Sequence, residues 1–355
     1  MRREIRRARL ASEVATLFAV AASVVWLVFL VALLVPSQVA VADEWDTCVK
    51  EDGDVAIEAC TALIESGKYQ GHSLATVHVS RAGAWQDKGD YDRAIKDYDQ
   101  AIRLDPKYGM AFYNRAIAYT KTLDYDRAIK DYNQAILLNP KDTYALINRC
   151  GLHLRNNKYD RAIRDCDEAI NLDPNNPTAF IMRGNVYSTN KDHERAIKDY
   201  NRAIELDPNN GVAFFSRGAV YALKEAHDRA IQDYSEAARL LPTHPDPWNS
   251  LCWHHAIVGK LELALSECNK ALNLEPQYVL ALDSRAFTYL KMDNLKAAIA
   301  DYDLALRLVP KLAHSLYGRG KAKLKKGDSS GEADLLAAEQ IKPDIADEFR
   351  RYGVQ

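Results

Sequence analysis

The sequence predicts an all-α fold, an α-α superhelix of stacked antiparallel helical hairpins. Three observations predict it: prolines recur every 34 residues, the apolar residues between them follow a three- and four-residue spacing, and no segment alternates as a strand would. A fixed period of this length is typical of repeat proteins, in which each unit buries its apolar face only against its neighbours. The periodic prolines are Pro106, Pro140, Pro174, Pro208, Pro242, Pro276 and Pro310.

The first 42 residues differ from the rest of the chain. Five arginines precede an uncharged run over residues 14–35, after which come Pro36 and the small residues Ala40, Val41 and Ala42. This layout is typical of a secretory signal peptide. The run is also long enough to span a bilayer, so a retained N-terminal membrane anchor is the alternative. Both interpretations place the remaining residues outside the cytoplasm, because the arginines stay on the cytoplasmic side. We therefore expect an exported protein of the periplasm or cell envelope, either free or anchored in the inner membrane.

Each repeat contains two predicted helices. The second begins at a block that reads Asp-Tyr-Asp-Arg-Ala-Ile-Lys-Asp-Tyr over residues 90–98 and again over residues 124–132. Within it Ala94, Ile95 and Tyr98 share one helical face, and the proline that follows cannot continue the helix. A first helix precedes each block after a short linker, so the two helices must pack antiparallel.

These residues resemble the tetratricopeptide repeat (TPR), the family with a 34-residue helix–turn–helix unit. The resemblance covers residues 75–312 as seven full units. Residues 43–74 are similar to a divergent leading unit, and residues 313–355 to a degenerate eighth unit with a C-terminal cap. In the second unit the residues that fit the pattern are Phe112, Ala116, Tyr119, Ala128, Tyr132, Ala135 and Pro140.

The resemblance implies where a partner would bind. In the family the first helices line a concave inner surface, so an apolar and aromatic stripe there would form a groove for a peptide or a partner helix. The alternative for each of these side chains is packing between neighbouring units. The candidate groove residues are Met110, Tyr113, Ile117, Tyr144, Ile147, Leu154, Ile181 and Phe215.

Arginine stands on the first helix where the family usually has an apolar residue. An aspartate follows on the second helix of most units, whereas the sixth unit has Leu251 and Glu267 instead. We predict a ladder of partly buried Arg–Asp pairs that fixes the register of the packed helices; a stripe that binds anions is the alternative. The arginines are Arg81, Arg115, Arg149, Arg183, Arg217, Arg285 and Arg319, and the aspartates are Asp97, Asp131, Asp165, Asp199, Asp233 and Asp301.

The six cysteines share a register. Two pairs are each separated by 16 residues and occupy the same two places in the third and sixth units. Six cysteines allow 15 connectivities. The register favours the disulfides Cys48–Cys60, Cys150–Cys166 and Cys252–Cys268, which an oxidising compartment would permit. Six buried free thiols are the alternative.

The sequence contains no pattern that indicates chemistry. It has no phosphate-binding glycine loop, no GxSxG and no HExxH, and neither the cysteines nor the histidines have the spacing of metal ligands. The net charge of −2 gives no basic surface for nucleic acid. We therefore expect no catalytic residues, no metal and no cofactor. The predicted function is a scaffold that binds other proteins or peptides; the alternative is an envelope assembly factor or chaperone that binds several clients transiently.

Overall fold

The computed structural model describes residues 44–354. These residues form helices and no strand, which confirms the predicted all-α fold class. The segment predicted to be a signal peptide or an anchor, residues 1–42 with its apolar run over residues 14–35, lies outside the described part of the chain. Within residues 44–354, no helix combines the length and the hydropathy needed to cross a membrane.

Residues 44–354 divide into two compact units, one up to Ala145 and one from Leu146 onward. In the first unit a helical stretch over residues 44–50 comes before the helical hairpins. Its helices are α1 (Gly53–Glu65), α2 (Gly71–Asp87), α3 (Tyr91–Leu104), α4 (Gly109–Lys121) and α5 (Tyr125–Leu138), and α6 (Thr143–Arg155) begins at its end.

The second unit continues the same alternation of first and second helices. Its helices after α6 are α7 (Tyr159–Leu172), α8 (Pro177–Thr189), α9 (His193–Leu206), α10 (Gly211–Leu223), α11 (His227–Leu240), α12 (Pro245–Ile257), α13 (Leu261–Leu274), α14 (Val279–Lys291), α15 (Leu295–Leu308), α16 (Ala313–Lys325), α17 (Gly331–Ile341) and α18 (Ile345–Arg351).

The repeated block of residues explains where a second helix such as α5 begins and ends. The side chain of Asp124 accepts a hydrogen bond from the backbone N–H of Arg127, and so caps the first turn of α5. Helix α5 ends at Leu138, two residues before Pro140, and the other second helices from α3 to α15 end in the same way. Ala116 and Ala128 are fully buried, which lets the backbones of α4 and α5 approach closely.

The turn between the two helices of a hairpin uses a left-handed residue at one fixed position. Leu123 has a φ of 64° there, a conformation that is costly for a residue with a side chain. The sequence signals this turn where the residue is glycine, asparagine or aspartate, and gives no such signal at Leu123, Lys191 or Glu225. The equivalent residues are Gly89, Asn157, Lys191, Glu225, Gly259, Asp293 and Gly327, all with positive φ.

Candidate protein-binding surfaces

The predicted arginine ladder connects helices within each of the two compact units. Arg115 on α4 donates from Nε to Asp131 Oδ2 at 2.7 Å and from Nη2 to Oδ1 at 2.8 Å, a bidentate pair with the second helix of its own hairpin. A third hydrogen bond goes from Nη1 to Asp99 on α3, the second helix of the hairpin before it. One guanidinium therefore fixes both the fold of a hairpin and its stacking on a neighbour.

The same pattern recurs along the chain and confirms the ladder. The carboxylates are almost fully buried and neutralise the guanidiniums, so these arginines are not arranged as a free stripe for external anions. The bidentate pairs are Arg81–Asp97, Arg149–Asp165, Arg183–Asp199, Arg217–Asp233, Arg285–Asp301 and Arg319–Asp334. The bonds to the preceding hairpin are Arg183–Asp167, Arg217–Asn201, Arg285–Asn269 and Arg319–Asp303.

Charge and burial compete at the first pair of the ladder. Burial raises the pKa of the Asp97 carboxyl, but hydrogen bonds from His78 and Arg81 outweigh this effect and hold the pKa below its usual value. Asp97 is therefore ionised in the folded protein over the neutral range.

The sixth hairpin replaces the ladder pair by a different one. Leu251 is buried where the other hairpins have arginine, and His255 lies one turn further along α12. Its Nδ1 is 2.7 Å from Glu267 Oε2 on α13. The sequence indicates the substitution of the arginine, but the spacing of the ladder does not point to His255 as the replacement.

In the first compact unit, three of the four candidate groove residues line an open cavity, whereas Ile117 does not. Met110 and Tyr144 expose 56% and 66% of their surface, values high enough for direct contact with a partner. Tyr113 is half-buried, with its ring 5.8 Å from that of Tyr132 in an edge-on arrangement, and Ile117 is half-buried as well. The cavity measures about 470 Å³. It is lined by Met110, Tyr113 and Tyr144 together with Asn114, Leu138 and Asn139, among others.

That cavity combines apolar walls with a few polar groups. The side chains of Met110, Leu138 and Tyr144 offer dispersion contacts, whereas the amides of Asn114 and Asn139 can donate and accept hydrogen bonds. Such a lining is typical of a site for a peptide segment or another small ligand. No group of residues in the described range 44–354 is arranged to hold a metal ion.

In the second unit the candidate groove residues are less accessible. Ile147 and Ile181, predicted on the inner surface, are only 4% and 7% exposed and therefore belong to the packing between helices. Leu154 is half-buried against the cluster around Cys150, and Phe215 is half-buried with its ring 5.5 Å from that of Tyr234. The sequence places all four on first helices correctly, but the neighbouring hairpin decides which of them water can reach.

The cysteines lie in the pairs that their register favours. Cys48 and Cys60 join the helical stretch over residues 44–50 to α1, and the other two pairs each join the two helices of a hairpin. The Cα–Cα distances are 4.8 Å for Cys48–Cys60, 5.9 Å for Cys150–Cys166 and 5.2 Å for Cys252–Cys268. Each pair thus closes a loop of 12 or 16 residues within one compact unit.

Stacked hairpins with repeated internal pairs and an exposed first-helix surface define a helical-repeat interaction scaffold. The repeats of this chain also match models of one family of helical repeats. One model of the tetratricopeptide repeat matches residues 110–142 and 177–210, a second TPR model matches residues 87–122, and a third matches residues 143–176. Together these matches run without a gap through residues 87–210, which therefore consist of tetratricopeptide repeats.

Two solved structures share the fold, and a third is similar over about half of this chain. The Cut9–Hcn1 hetero-tetramer of the APC/C is 15% identical, covers 82% of this chain and 74% of its own, and has a TM-score of 0.52. Yeast Tom70 is 18% identical, with coverages of 85% and 73% and a TM-score of 0.50. YrrB, described as a TPR protein with an unusual peptide-binding site, is 25% identical over 53% of this chain and 97% of its own, with a TM-score of 0.44. A search among curated proteins gives no match.

Proposed function

We propose that this TPR protein is a non-enzymatic scaffold on the extracytoplasmic side of the membrane, and that the cavity beside Met110 and Tyr144 holds a segment of a partner protein. The observation that carries the proposal is the exposure of these two large apolar side chains around a cavity of about 470 Å³. Burying such side chains against a partner stabilises a complex by roughly 1.5–3 kcal/mol each. Isolated proteins seldom leave several of them together in water without a function.

Two observations support the extracytoplasmic placement. The N-terminal residues have the layout of a secretory signal or an anchor. All six cysteines are paired, which is the usual condition of cysteines in secreted and periplasmic proteins. An export assay tests the placement directly: a reporter enzyme that is active only in the periplasm, fused after Gln355, should be active, and deletion of residues 1–42 should abolish that activity.

Selection from a peptide library tests the binding proposal. Peptides selected on the purified chain should lose about tenfold or more in affinity for the double variant Met110→Ala, Tyr144→Ala. Both side chains are exposed, so the melting temperature should stay close to that of the wild type. Leu137→Ala is the matched control, because Leu137 is 71% exposed on α5 but does not line the cavity.

The same selection separates the scaffold from the assembly factor. A dedicated scaffold should yield one sequence class with a single dissociation constant, whereas a chaperone should yield many unrelated peptides that bind weakly. Equal affinity of the selected peptides for the wild type and the double variant would show that this cavity is not the site.

A further inference from the structure

The C-terminal segment of the chain lies on the first helices of the last three complete hairpins. Ile345 and Phe349 on α18 are 1% and 0% exposed, and Val354 just beyond the helix is 8% exposed. Ile345, Phe349 and the half-buried Tyr352 recur at intervals of four and three residues, so they form one apolar face. A helix of only seven residues is not stable alone in water, so its order comes from what this face covers.

The surface under this face is aromatic. The Phe349 ring lies 4.5 Å from the ring of His314 and 4.7 Å from that of Tyr317, both on α16. The same ring lies 5.7 Å from Phe287 on α14. A single side chain of α18 therefore bridges the first helices of two successive hairpins.

Tyr352 extends these contacts to a third hairpin. Its ring lies 5.4 Å from that of Trp253 on α12, edge-on, and 6.3 Å from Phe287. The Lys291 ammonium donates to the Tyr352 carbonyl at 2.8 Å and to the Ala256 carbonyl at 2.7 Å, so it ties the end of α18 to α12. The docked segment is thus held by aromatic contacts and by a charge-assisted hydrogen bond.

The helix end is shaped for this docking. The Val354 N–H donates to the Phe349 carbonyl and the Gly353 N–H to the Arg350 carbonyl, with Gly353 at a φ of 82°. This is the glycine-terminated cap that turns the chain sharply after a helix. The turn brings Val354 back onto the covered surface.

The covered residues occupy the repeat positions of the predicted groove. Each is displaced by a whole number of 34-residue periods from a candidate groove residue of the first unit. His314 corresponds to Met110 and Tyr144, Tyr317 to Tyr113, and both Trp253 and Phe287 to Ile117.

We propose that residues 344–354 are an intramolecular ligand of the first-helix surface of α12, α14 and α16, and that this surface accepts short amphipathic helices with bulky apolar side chains at positions i, i+4 and i+7. A partner helix of this kind competes with the chain's own C-terminus. The first-helix surface of α12, α14 and α16 is therefore covered until such a partner displaces α18. This proposal rests on the proposed function in one respect: the surface under α18 and the cavity beside Tyr144 use the same positions of the repeat.

Binding of a peptide in trans tests the proposal. A fluorescently labelled peptide with the sequence of residues 343–355 is titrated into the full-length chain and into the double variant Phe349→Ala, Tyr352→Ala, and its anisotropy is measured. In the wild type the attached segment has a high effective concentration and excludes the peptide, so the variant should bind the peptide about tenfold more tightly or better. A peptide that carries the same two alanines should not bind, and Trp253→Ala added to the variant should weaken binding again.

A folded variant that binds the peptide no better than the wild type would overturn the proposal. Hydrogen exchange on the wild-type chain covers the case in which the variant does not fold. If α18 is a ligand, its amides should exchange faster than those of α14 and α16, because the segment undocks while the hairpins stay folded. Exchange of α18 only at the rate of α16 would show that the segment is an inseparable part of the core, which also overturns the proposal. Neither experiment involves the cavity beside Tyr144. Failure of this proposal would therefore leave the proposed function untouched, and the peptide-library selection decides that function separately.

Discussion

Arg217 donates two hydrogen bonds of 2.8 and 2.7 Å to the Asp233 carboxylate, and the pair joins the two helices of one hairpin. The side chain of Asp233 is only 5% exposed, and that of Arg217 is 19% exposed. Taking both charges out of water costs free energy, which the bidentate geometry offsets. Such a pair adds little net stability, but any other register of the two helices would leave one of the charges buried without a partner. The pair therefore fixes the register of the helices.

Removal of one partner from this pair should be strongly destabilising. We expect Arg217→Met to lower the free energy of unfolding by about 3–5 kcal/mol, because it leaves the Asp233 carboxylate buried without a partner. The double variant Arg217→Met, Asp233→Leu should recover most of the loss. Chemical denaturation measures both. Arg202→Met is the control, since its ion pair with Glu205 is exposed and should contribute less than about 1 kcal/mol. An equal loss in the single and double variants would contradict this account of the ladder.

Each of the longer disulfides should stabilise the chain by closing a loop. Cys252 and Cys268 are 16 residues apart, for which the chain-entropy model gives about 3 kcal/mol. We expect the double variant Cys252→Ala, Cys268→Ala to unfold at a lower denaturant concentration than the wild type. A thiol titration of the denatured wild-type chain, isolated from an oxidising compartment, should find no free cysteine. Six reactive thiols in that titration would instead indicate that the cysteines pack as free thiols.

His254 should make stability depend on pH in the mildly acidic range. The side chain is buried beside His227 and His255 and stacks on Tyr234, and burial, followed by the two neighbouring imidazoles, lowers its pKa to about 4. The folded state therefore keeps His254 neutral while the unfolded chain takes up a proton near pH 6.5. Stability is retained above about pH 6.5 and falls as the pH drops toward 4, by about 3 kcal/mol at most.

Denaturation between pH 4 and 7 measures this dependence. The variant His254→Phe keeps an aromatic ring against Tyr234 but has no proton to bind, so its stability should fall less over the same range. Identical pH profiles for the wild type and this variant would assign the dependence to other groups.

Leu123 should be a site where glycine stabilises the fold. Its φ of 64° is costly for a residue with a side chain, and 68% of its surface is exposed, so the side chain contributes little burial in return. We expect Leu123→Gly to raise the free energy of unfolding by about 1 kcal/mol, and Gly89→Ala, at the equivalent turn, to lower it by a similar amount. Thermal unfolding of the two variants should therefore shift in opposite directions. A decrease for both would mean that the contacts of Leu123 outweigh its backbone strain.

Local sequence specifies the features that repeat at short range. The helix pairs, the stop two residues before each proline and the Arg115–Asp131 type of pair all involve residues within one period, so each is specified again in every unit. The cysteine pairs follow from the same register, as in Cys150 and Cys166. The left-handed turn residue is equally periodic, but leucine at position 123 gives no local signal for it, because the close packing of the two helices imposes that conformation.

Tertiary packing alone decided which surfaces are open. Tyr144 and Ile147 lie one turn apart on the same first helix, yet one is 66% exposed and the other 4%, because burial depends on the neighbouring hairpin and not on the helix itself. The burial of Phe349 and Tyr352 also depends on which hairpins lie beside them. Their partners lie as far back as Trp253, a separation of about three repeats, and no periodic pattern in the sequence encodes a contact that occurs only once.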